Sequence, residues 1–215
     1  MQSKIILLNG PIGCGKTEAV KRIKAPPKYP VEDRRCKDHL FLLTYSFFCM
    51  SEEEFFEHYE DRETKETPKE EFSVSGEAYN ELAPHVGKPT IHPLLLDREV
   101  MLSVREALIY VSEVVCKPAF GKEYFGVARA KSIKPNERAI DDSCGFDDEI
   151  APTLDLLGVD NVLLIRIHGR GNFNGDSRNF ISDGVVKNTI DLTNDADEES
   201  FLQEIARVSK KFYLT

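Results

Sequence analysis

The chain has 215 residues, of which 41% are hydrophobic and 30% are charged, and its net charge at pH 7 is −9. The length suits one α/β domain with a real core. No apolar run approaches the roughly 20 residues needed to span a bilayer, which argues against a membrane protein. The acidic balance argues against broad, sequence-independent nucleic-acid binding, because that function needs a basic surface.

The cysteines and the first residues indicate the compartment. The cysteines are scattered and lack C-x-x-C spacing, which is typical of cytosolic thiols and not of a disulfide framework or a zinc site. A strand pattern begins at Ile5 and leaves no secretory signal before it. We therefore expect a cytoplasmic protein.

The first predicted element is a strand over residues 5–9, and the clearest functional signal follows it. The next residues are Gly10-Pro11-Ile12-Gly13-Cys14-Gly15-Lys16-Thr17, the pattern G-x-x-x-x-G-K-[ST], with a helix-forming stretch after them. The three glycines let the backbone curl so that successive N–H groups, among them those of Gly10, Gly13, Cys14 and Gly15, point at a phosphate, and the helix adds its positive N-terminal end. We predict a nucleoside triphosphate site, with Lys16 at the β- and γ-phosphates of ATP and Thr17 on Mg²⁺.

The next hundred residues carry helix starts and helix breakers. Prolines 26, 27 and 30 predict the end of the first helix. Residues 39–50 are apolar and aromatic and fit either a strand or a helix. Capping boxes at Ser51-Glu52-Glu53-Glu54 and Ser103-Val104-Arg105-Glu106 predict two helix starts, and Pro118 predicts the end of the second helix. Four prolines and two glycines within 61–93 predict an irregular connection or flap.

The second half of the chain alternates helices and strands. We predict helices over 124–132, 150–157 and 197–210, strands over 138–142, 161–167 and 189–192, and a polar, glycine-rich loop over 169–184. This alternation after a phosphate-binding loop predicts an α/β fold with a mostly parallel sheet flanked by helices.

Two acidic residues, Asp141 and Asp142, end a predicted strand. At the carboxyl edge of a parallel sheet they would face the glycine loop, where a carboxylate helps to hold Mg²⁺. The alternative is a solvated turn. We favour the metal role, and the sequence only slightly favours Asp142 over Asp141.

Arginines supply the remaining candidates. Arg105, in the first turn of its capped helix, suits a bidentate phosphate contact, and a surface ion pair with Glu106 or Glu99 is an equal alternative. Arg166, Arg170 and Arg178 bracket the glycine-rich loop, which has the hinges and charges of a lid that closes over ATP. The alternative there is an ordinary solvated loop in which Asp176 pairs with an arginine.

Several segments, in one order along nearly the whole chain, resemble the deoxynucleoside monophosphate kinases of bacteriophages. They are Tyr59-Glu60-Asp61-Arg62-Glu63-Thr64-Lys65-Glu66-Thr67-Pro68, Ser103-Val104-Arg105-Glu106-Ala107-Leu108, Phe120-Gly121-Lys122-Glu123-Tyr124-Phe125 and Asp142-Ser143-Cys144-Gly145-Phe146-Asp147-Asp148-Glu149. The chain differs from the family pattern at Val104, where proline is common, and before Phe146, where many relatives carry an arginine.

The resemblance implies one P-loop kinase domain over 1–215, with a P-loop unit (1–30), a mainly helical acceptor-binding region (36–132) and a part (133–215) that holds the acidic strand end and a lid over 168–184. It implies transfer of the γ-phosphate of ATP to a deoxynucleoside monophosphate with Mg²⁺, and it carries the acceptor phosphate to Arg105. In this interpretation Lys16, Arg105, Asp142, Arg170 and Arg178 are catalytic. Arg166 joins the loop residues in binding ATP.

Two other functions stay open. The first is a P-loop kinase for a hydroxyl group, on a nucleoside or on a hydroxymethylated pyrimidine in DNA, for which Asp141 or Asp142 would serve as the base. The second, less favoured, is a regulatory P-loop ATPase. We expect a small nucleotide acceptor as the partner, with DNA as the alternative substrate. The cell would be an infected host if the chain is phage-encoded, and a homodimer stays open.

Overall fold

A computed structural model describes residues 2–25, 30–174, 178–195 and 197–214. The chain forms two compact units, one from Met1–Lys37 and Phe125–Thr215 and the other from Asp38–Tyr124. The second unit falls within the segment 36–132 that we assigned to the acceptor. Prolines 26 and 27 and Asp176 lie outside the described residues. The first helix ends at Lys24, just before these prolines, as predicted, whereas the ion pair that we placed on Asp176 stays a prediction.

The regular elements have the following bounds. The strands are β1 (Lys4–Asn9), β2 (Glu32–Asp33), β3 (Lys69–Ser75), β4 (Glu99–Leu102), β5 (Arg138–Asp141), β6 (Val162–His168) and β7 (Asn188–Thr193). The helices are α1 (Lys16–Lys24), α2 (Cys36–Phe47), α3 (Glu52–Glu60), α4 (Arg62–Glu66), α5 (Gly76–Val86), α6 (Val104–Ile109), α7 (Lys117–Phe120), α8 (Tyr124–Ser132), α9 (Ala151–Leu157) and α10 (Glu198–Leu214). None of the helices in the described ranges is long and apolar enough to cross a membrane.

The first unit is built on a five-stranded sheet in the order β2-β5-β1-β6-β7, in which every neighbouring pair is parallel. Alternate residues of β1 belong to two separate cores. Ile6 and Leu8 pack with residues of α1 and α10, whereas Ile5 and Leu7 pack with Ile150 and partly buried residues of α9. Helices therefore flank a parallel sheet whose central strand is apolar on both sides, as predicted.

The parallel topology also places the functional candidates. The carboxyl ends of parallel strands meet at one edge of a sheet, and Asn9, Asp141 and His168 end β1, β5 and β6 there. The register pairs Leu7 with Asp141 and Asn9 with Arg166. The glycine loop thus leaves the sheet between β5, which carries Asp141, and β6, which carries Arg166.

The second unit starts its helices where the capping boxes predict. Ser51 and Ser103 each accept a hydrogen bond from the backbone N–H three residues on, and the carboxylates of Glu54 and Glu106 accept one from the backbone N–H of the cap residue. Residues 39–50, which fit either element, are mostly helical in α2.

The prediction of an irregular connection over 61–93 is wrong, because this stretch contains α4, β3 and α5. Its helix breakers stand mainly at element boundaries. Pro68 directly precedes β3, Pro84 lies in the last turn of α5, and Gly87 ends that helix in the left-handed conformation.

Pro118 does not end the helix that begins at Val104. A π-helical stretch over Tyr110–Cys116 joins α6 to α7, and Pro118 lies in the first turn of α7, where a missing N–H is tolerated. The chain leaves the helical geometry at Gly121, which has a φ of 97°.

Candidate functional site

The loop between β1 and α1 requires glycine at its motif positions. Gly13 and Gly15 have φ values of 82° and 104°, which other residues rarely adopt. A Cβ at Gly10 would lie 2.7 Å from the backbone oxygen of Ile167. The three motif glycines therefore permit this loop geometry, and α1 begins directly after it at Lys16.

Lys16 is folded back over the start of the loop. Its Nζ donates to the backbone oxygens of Gly10 at 2.5 Å and Pro11 at 2.7 Å. Burial lowers the pKa of Lys16, Cys14 opposes this shift, and the nearby Arg178 adds to it. An anion bound near Lys16 and Arg178 would stabilise the charged form of both side chains and would offset the repulsion between them.

Thr17 is exposed in the first turn of α1, so its hydroxyl is accessible to a ligand. In the described part of the chain, no group of three or more His, Cys, Asp or Glu side chains is arranged to hold a metal ion. Mg²⁺ in phosphoryl transfer needs only one or two protein oxygens, because phosphates and water complete its shell. The donors predicted here, a threonine hydroxyl and a carboxylate, fit that requirement.

Asp141 is fully buried, and both of its carboxylate oxygens accept hydrogen bonds from protein groups. One oxygen accepts from Ser143 N at 2.6 Å and Ser143 Oγ at 2.5 Å, and the other accepts from Arg129 Nη1 at 2.7 Å. Binding a metal ion through Asp141 would require breaking a buried ion pair. The predicted metal role therefore suits Asp142 better.

Asp142 faces a lysine. Its Oδ1 is buried, lies 3.2 Å from Lys37 Nζ, and has no partner in hydrogen-bond geometry, so the contact is an ion pair with poor alignment. A buried carboxylate oxygen without a hydrogen bond suits a cation. We retain Asp142 as the metal candidate, and Lys37 as the group that balances its charge.

Arg129 is a functional candidate that the sequence analysis missed. It is fully buried on α8, pairs with Asp141, and donates to the Glu149 backbone oxygen at 2.6 Å and to Thr153 Oγ1. Burial alone would lower the pKa of Arg129, but nearby negative groups, including the Asp141 carboxylate, raise it on balance. Arg129 follows the apolar Phe125 by four residues, and residues with this spacing share one face of a helix. The sequence therefore contained a signal that Arg129 lies on the buried face of α8.

Arg166, predicted to bind ATP, connects β6 to β7. Its Nε and Nη2 donate to the two carboxylate oxygens of Asp191 at 2.9 and 2.8 Å, and its Nη1 donates to Asp183 at 2.7 Å. These hydrogen bonds raise the pKa of Arg166, with those from Asp191 and Asp183 as the largest causes. A nucleotide would have to compete with two carboxylates for this guanidinium.

The two arms of the predicted lid differ in how they meet the glycine loop. On the first arm, Ile12 and Asn172 form an isolated antiparallel bridge, and Arg170 lies 3.7 Å from a carboxylate oxygen of Glu198. On the second arm, the aliphatic part of the Arg178 side chain lies against Gly145, and the positive charge of Arg178 helps to lower the pKa of Lys16. Gly175, Asp176 and Ser177, between the arms, lie outside the described residues.

Replacing Gly171 with alanine is expected to disturb this contact. A Cβ at Gly171 would lie 2.1 Å from the backbone oxygen of Ile12, and its φ is 76°. Gly184 is a matched control, because its φ is 83° but a Cβ there would meet nothing within 4 Å. Both variants should pay about 1 kcal/mol of backbone strain in chemical denaturation. Only Gly171→Ala should also speed hydrogen exchange around Ile12, and equal exchange in both variants would contradict the prediction.

Arg105 lies in the second unit, at the second position of α6. Its Nη1 is 3.4 Å from a carboxylate oxygen of Glu66, which is not one of the two glutamates that we set against a phosphate contact. Ser103 N donates to Glu106 at 2.9 Å, and Lys88 Nζ lies 2.6 Å from the other oxygen of Glu106. This framework fixes the helix start on which Arg105 lies.

The same unit exposes an aromatic pair. Phe120, which is 62% exposed, stacks on Tyr124 with ring centroids 4.8 Å apart. Tyr124 Oη lies 3.1 Å from His39 Nε2. Such a pair offers a π-face of the kind on which nucleobases stack.

No model of a known protein family matches this chain, and no curated protein is significantly similar to it.

Proposed function

We propose that this chain transfers the γ-phosphate of ATP to a deoxynucleoside monophosphate and so forms the diphosphate. The observation that carries the proposal is a loop that needs glycine at each motif position and over whose start the Lys16 side chain is folded, with Arg178 near enough to lower the pKa of Lys16. This arrangement suits a polyphosphate, because backbone N–H groups, a helix N-terminus and two cations all favour negative charge. The proposal also implies that the α/β fold of the first unit is specifically a P-loop kinase fold.

The donor side would work through residues of the first unit. Lys16 would exchange the backbone oxygens of Gly10 and Pro11 for the β- and γ-phosphates. Thr17 and Asp142 would hold Mg²⁺, which supplies positive charge against the phosphate oxygens when it is bound. Arg178 would stabilise the negative charge that develops on the transferred phosphoryl group.

The acceptor side would work through the second unit. Arg105 would exchange Glu66, which it meets through one contact of 3.4 Å, for the acceptor phosphate, which carries more charge. A monophosphate is already an anion, so its attack needs no catalytic base. This agrees with the commitment of Asp141 to Arg129.

The deciding experiment compares acceptors. The protein is incubated with ATP and Mg²⁺ and with dNMPs, nucleosides, DNA containing hydroxymethylated pyrimidines, or no acceptor, and ADP and phosphorylated products are measured. Product only with a dNMP supports the proposal. Product only with a hydroxyl acceptor supports the alternative kinase, and ADP release without any acceptor supports a regulatory ATPase.

Replacing Arg105 with alanine is expected to act mainly on the acceptor. The KM for the dNMP should rise by about 10-fold or more, because a charge-assisted contact to phosphate is lost, whereas the KM for ATP should change little. Lys117→Ala is the control, since it removes a cation that pairs with Glu113 in the same unit, outside the framework that holds Arg105. Unchanged KM and kcat for the dNMP in Arg105→Ala would remove Arg105 from the site.

A further inference from the structure

Asn9 is a fully buried polar residue at the end of β1, directly before the glycine loop. Its Nδ2 donates to the backbone oxygens of Cys144 at 3.1 Å and Asn179 at 3.0 Å. Its Oδ1 accepts from the backbone N–H of Ile181 at 2.9 Å. One amide therefore joins three segments at the carboxyl edge of the sheet and uses both of its donor hydrogens.

The segments that Asn9 joins are those that hold Arg178. The backbone N–H of Asn179 donates to the Gly145 oxygen at 3.2 Å. A Cβ at Gly145 would lie 2.5 to 2.8 Å from Cβ, Cγ and Cδ of Arg178, so only glycine leaves room for that stem. The Arg178 side chain thus packs on Gly145. The neighbours of these two residues, Cys144 and Asn179, both accept hydrogen bonds from Asn9.

We propose that Asn9 is a positioning residue that sets Arg178 beside the Lys16 loop. Asn9 continues directly into Gly10, whose oxygen accepts from Lys16. It therefore couples the position of the loop to the position of Arg178 through covalent chain on one side and hydrogen bonds on the other. The consequence for catalysis rests on the function proposed above, in which Arg178 stabilises the transferred phosphoryl group.

Two substitutions test this role. Asn9→Asp keeps the oxygen that accepts from Ile181 but loses both donor hydrogens, and Gly145→Ala fills the space of the Arg178 side chain without touching Asn9. Asn161→Asp is the matched control. It makes the same chemical change at another largely buried asparagine, whose Nδ2 donates to the Leu157 oxygen at 2.8 Å, at the opposite end of β6.

The first measurement does not depend on activity. Folded variants are treated briefly with trypsin, and cleavage after Arg178 is followed by mass spectrometry. We expect cleavage at least about 5-fold faster in Asn9→Asp and Gly145→Ala than in the unmodified protein, and no change in Asn161→Asp. Unchanged cleavage in the first two variants would overturn the proposal, and if Asn9→Asp does not fold, Gly145→Ala decides.

The second measurement tests coupling through kcat. We expect Asn9→Asp to lower kcat about 10-fold or more, and to lower it little further in a protein that already carries Arg178→Ala. If the double variant loses kcat by the product of the two single losses, Asn9 acts independently of Arg178. That result would overturn the proposal, because a positioning role for Asn9 requires Arg178 to be present. If the unmodified protein phosphorylates no acceptor, the proposed function fails, and the trypsin result alone decides the role of Asn9.

Discussion

Replacing Lys16 with alanine is expected to lower kcat for phosphoryl transfer by about 100-fold or more. The expected size follows from losing one charged donor that is aimed at developing negative charge in a partly buried site. Because Lys16 is expected to bind both the bound triphosphate and the transition state, the KM for ATP should rise as well. Steady-state kinetics with saturating acceptor would measure both effects.

Lys21→Ala is the control for this variant. Lys21 lies on the same helix, is largely exposed, and pairs with Glu18 at 2.7 Å. It should leave kcat unchanged and cost little stability, as exposed ion pairs do. Normal turnover in Lys16→Ala, with a thermal unfolding curve like that of the unmodified protein, would contradict both the site and the proposed function.

Replacing Asp141 with asparagine is expected to destabilise the protein by about 3 to 5 kcal/mol, because it leaves the Arg129 charge buried without its partner. Both side chains are 0% exposed, so water cannot replace the lost carboxylate. The effect is large against a typical total stability of about 5 to 15 kcal/mol. Chemical denaturation would measure it.

Two companions make this prediction specific. Asp160→Asn removes the carboxylate of an exposed pair with Lys187 and should cost about 1 kcal/mol or less. The double variant Asp141→Asn with Arg129→Met removes both charges, so it should be less destabilised than the sum of the two single changes. A small loss in Asp141→Asn, or additive losses in the double variant, would show that the buried pair contributes little.

The local signals in the sequence predicted the elements they belong to. The capping boxes at Ser51 and Ser103 place two helix starts because their hydrogen bonds run between residues three apart. Pro68, Pro84 and Gly87 misled the analysis for a related reason. A breaker is recognised by type, but whether it interrupts an element or lies at its end depends on the packing of the elements around it.

The acidic pair shows the limit more clearly. Asp141 and Asp142 are adjacent and have the same charge, so sequence reasoning favoured one only slightly over the other. Asp141 is the last residue of β5 and is buried where Arg129 meets it, whereas Asp142 follows the strand and lies opposite Lys37. The sequence likewise did not indicate that Arg166, which we predicted to bind ATP, pairs with Asp183 and Asp191.

The sequence by itself determined the parallel α/β arrangement, the glycine loop and most of the candidate cations, because hydrophobic period, caps and loop glycines act over a few residues. Only the tertiary structure decided which charges pair with each other, as Arg129 does with Asp141 and Arg166 with Asp191. Asn9 shows the physical reason, since its hydrogen-bond partners lie 135, 170 and 172 residues away along the chain. Contacts of that separation exist only once the strands have paired.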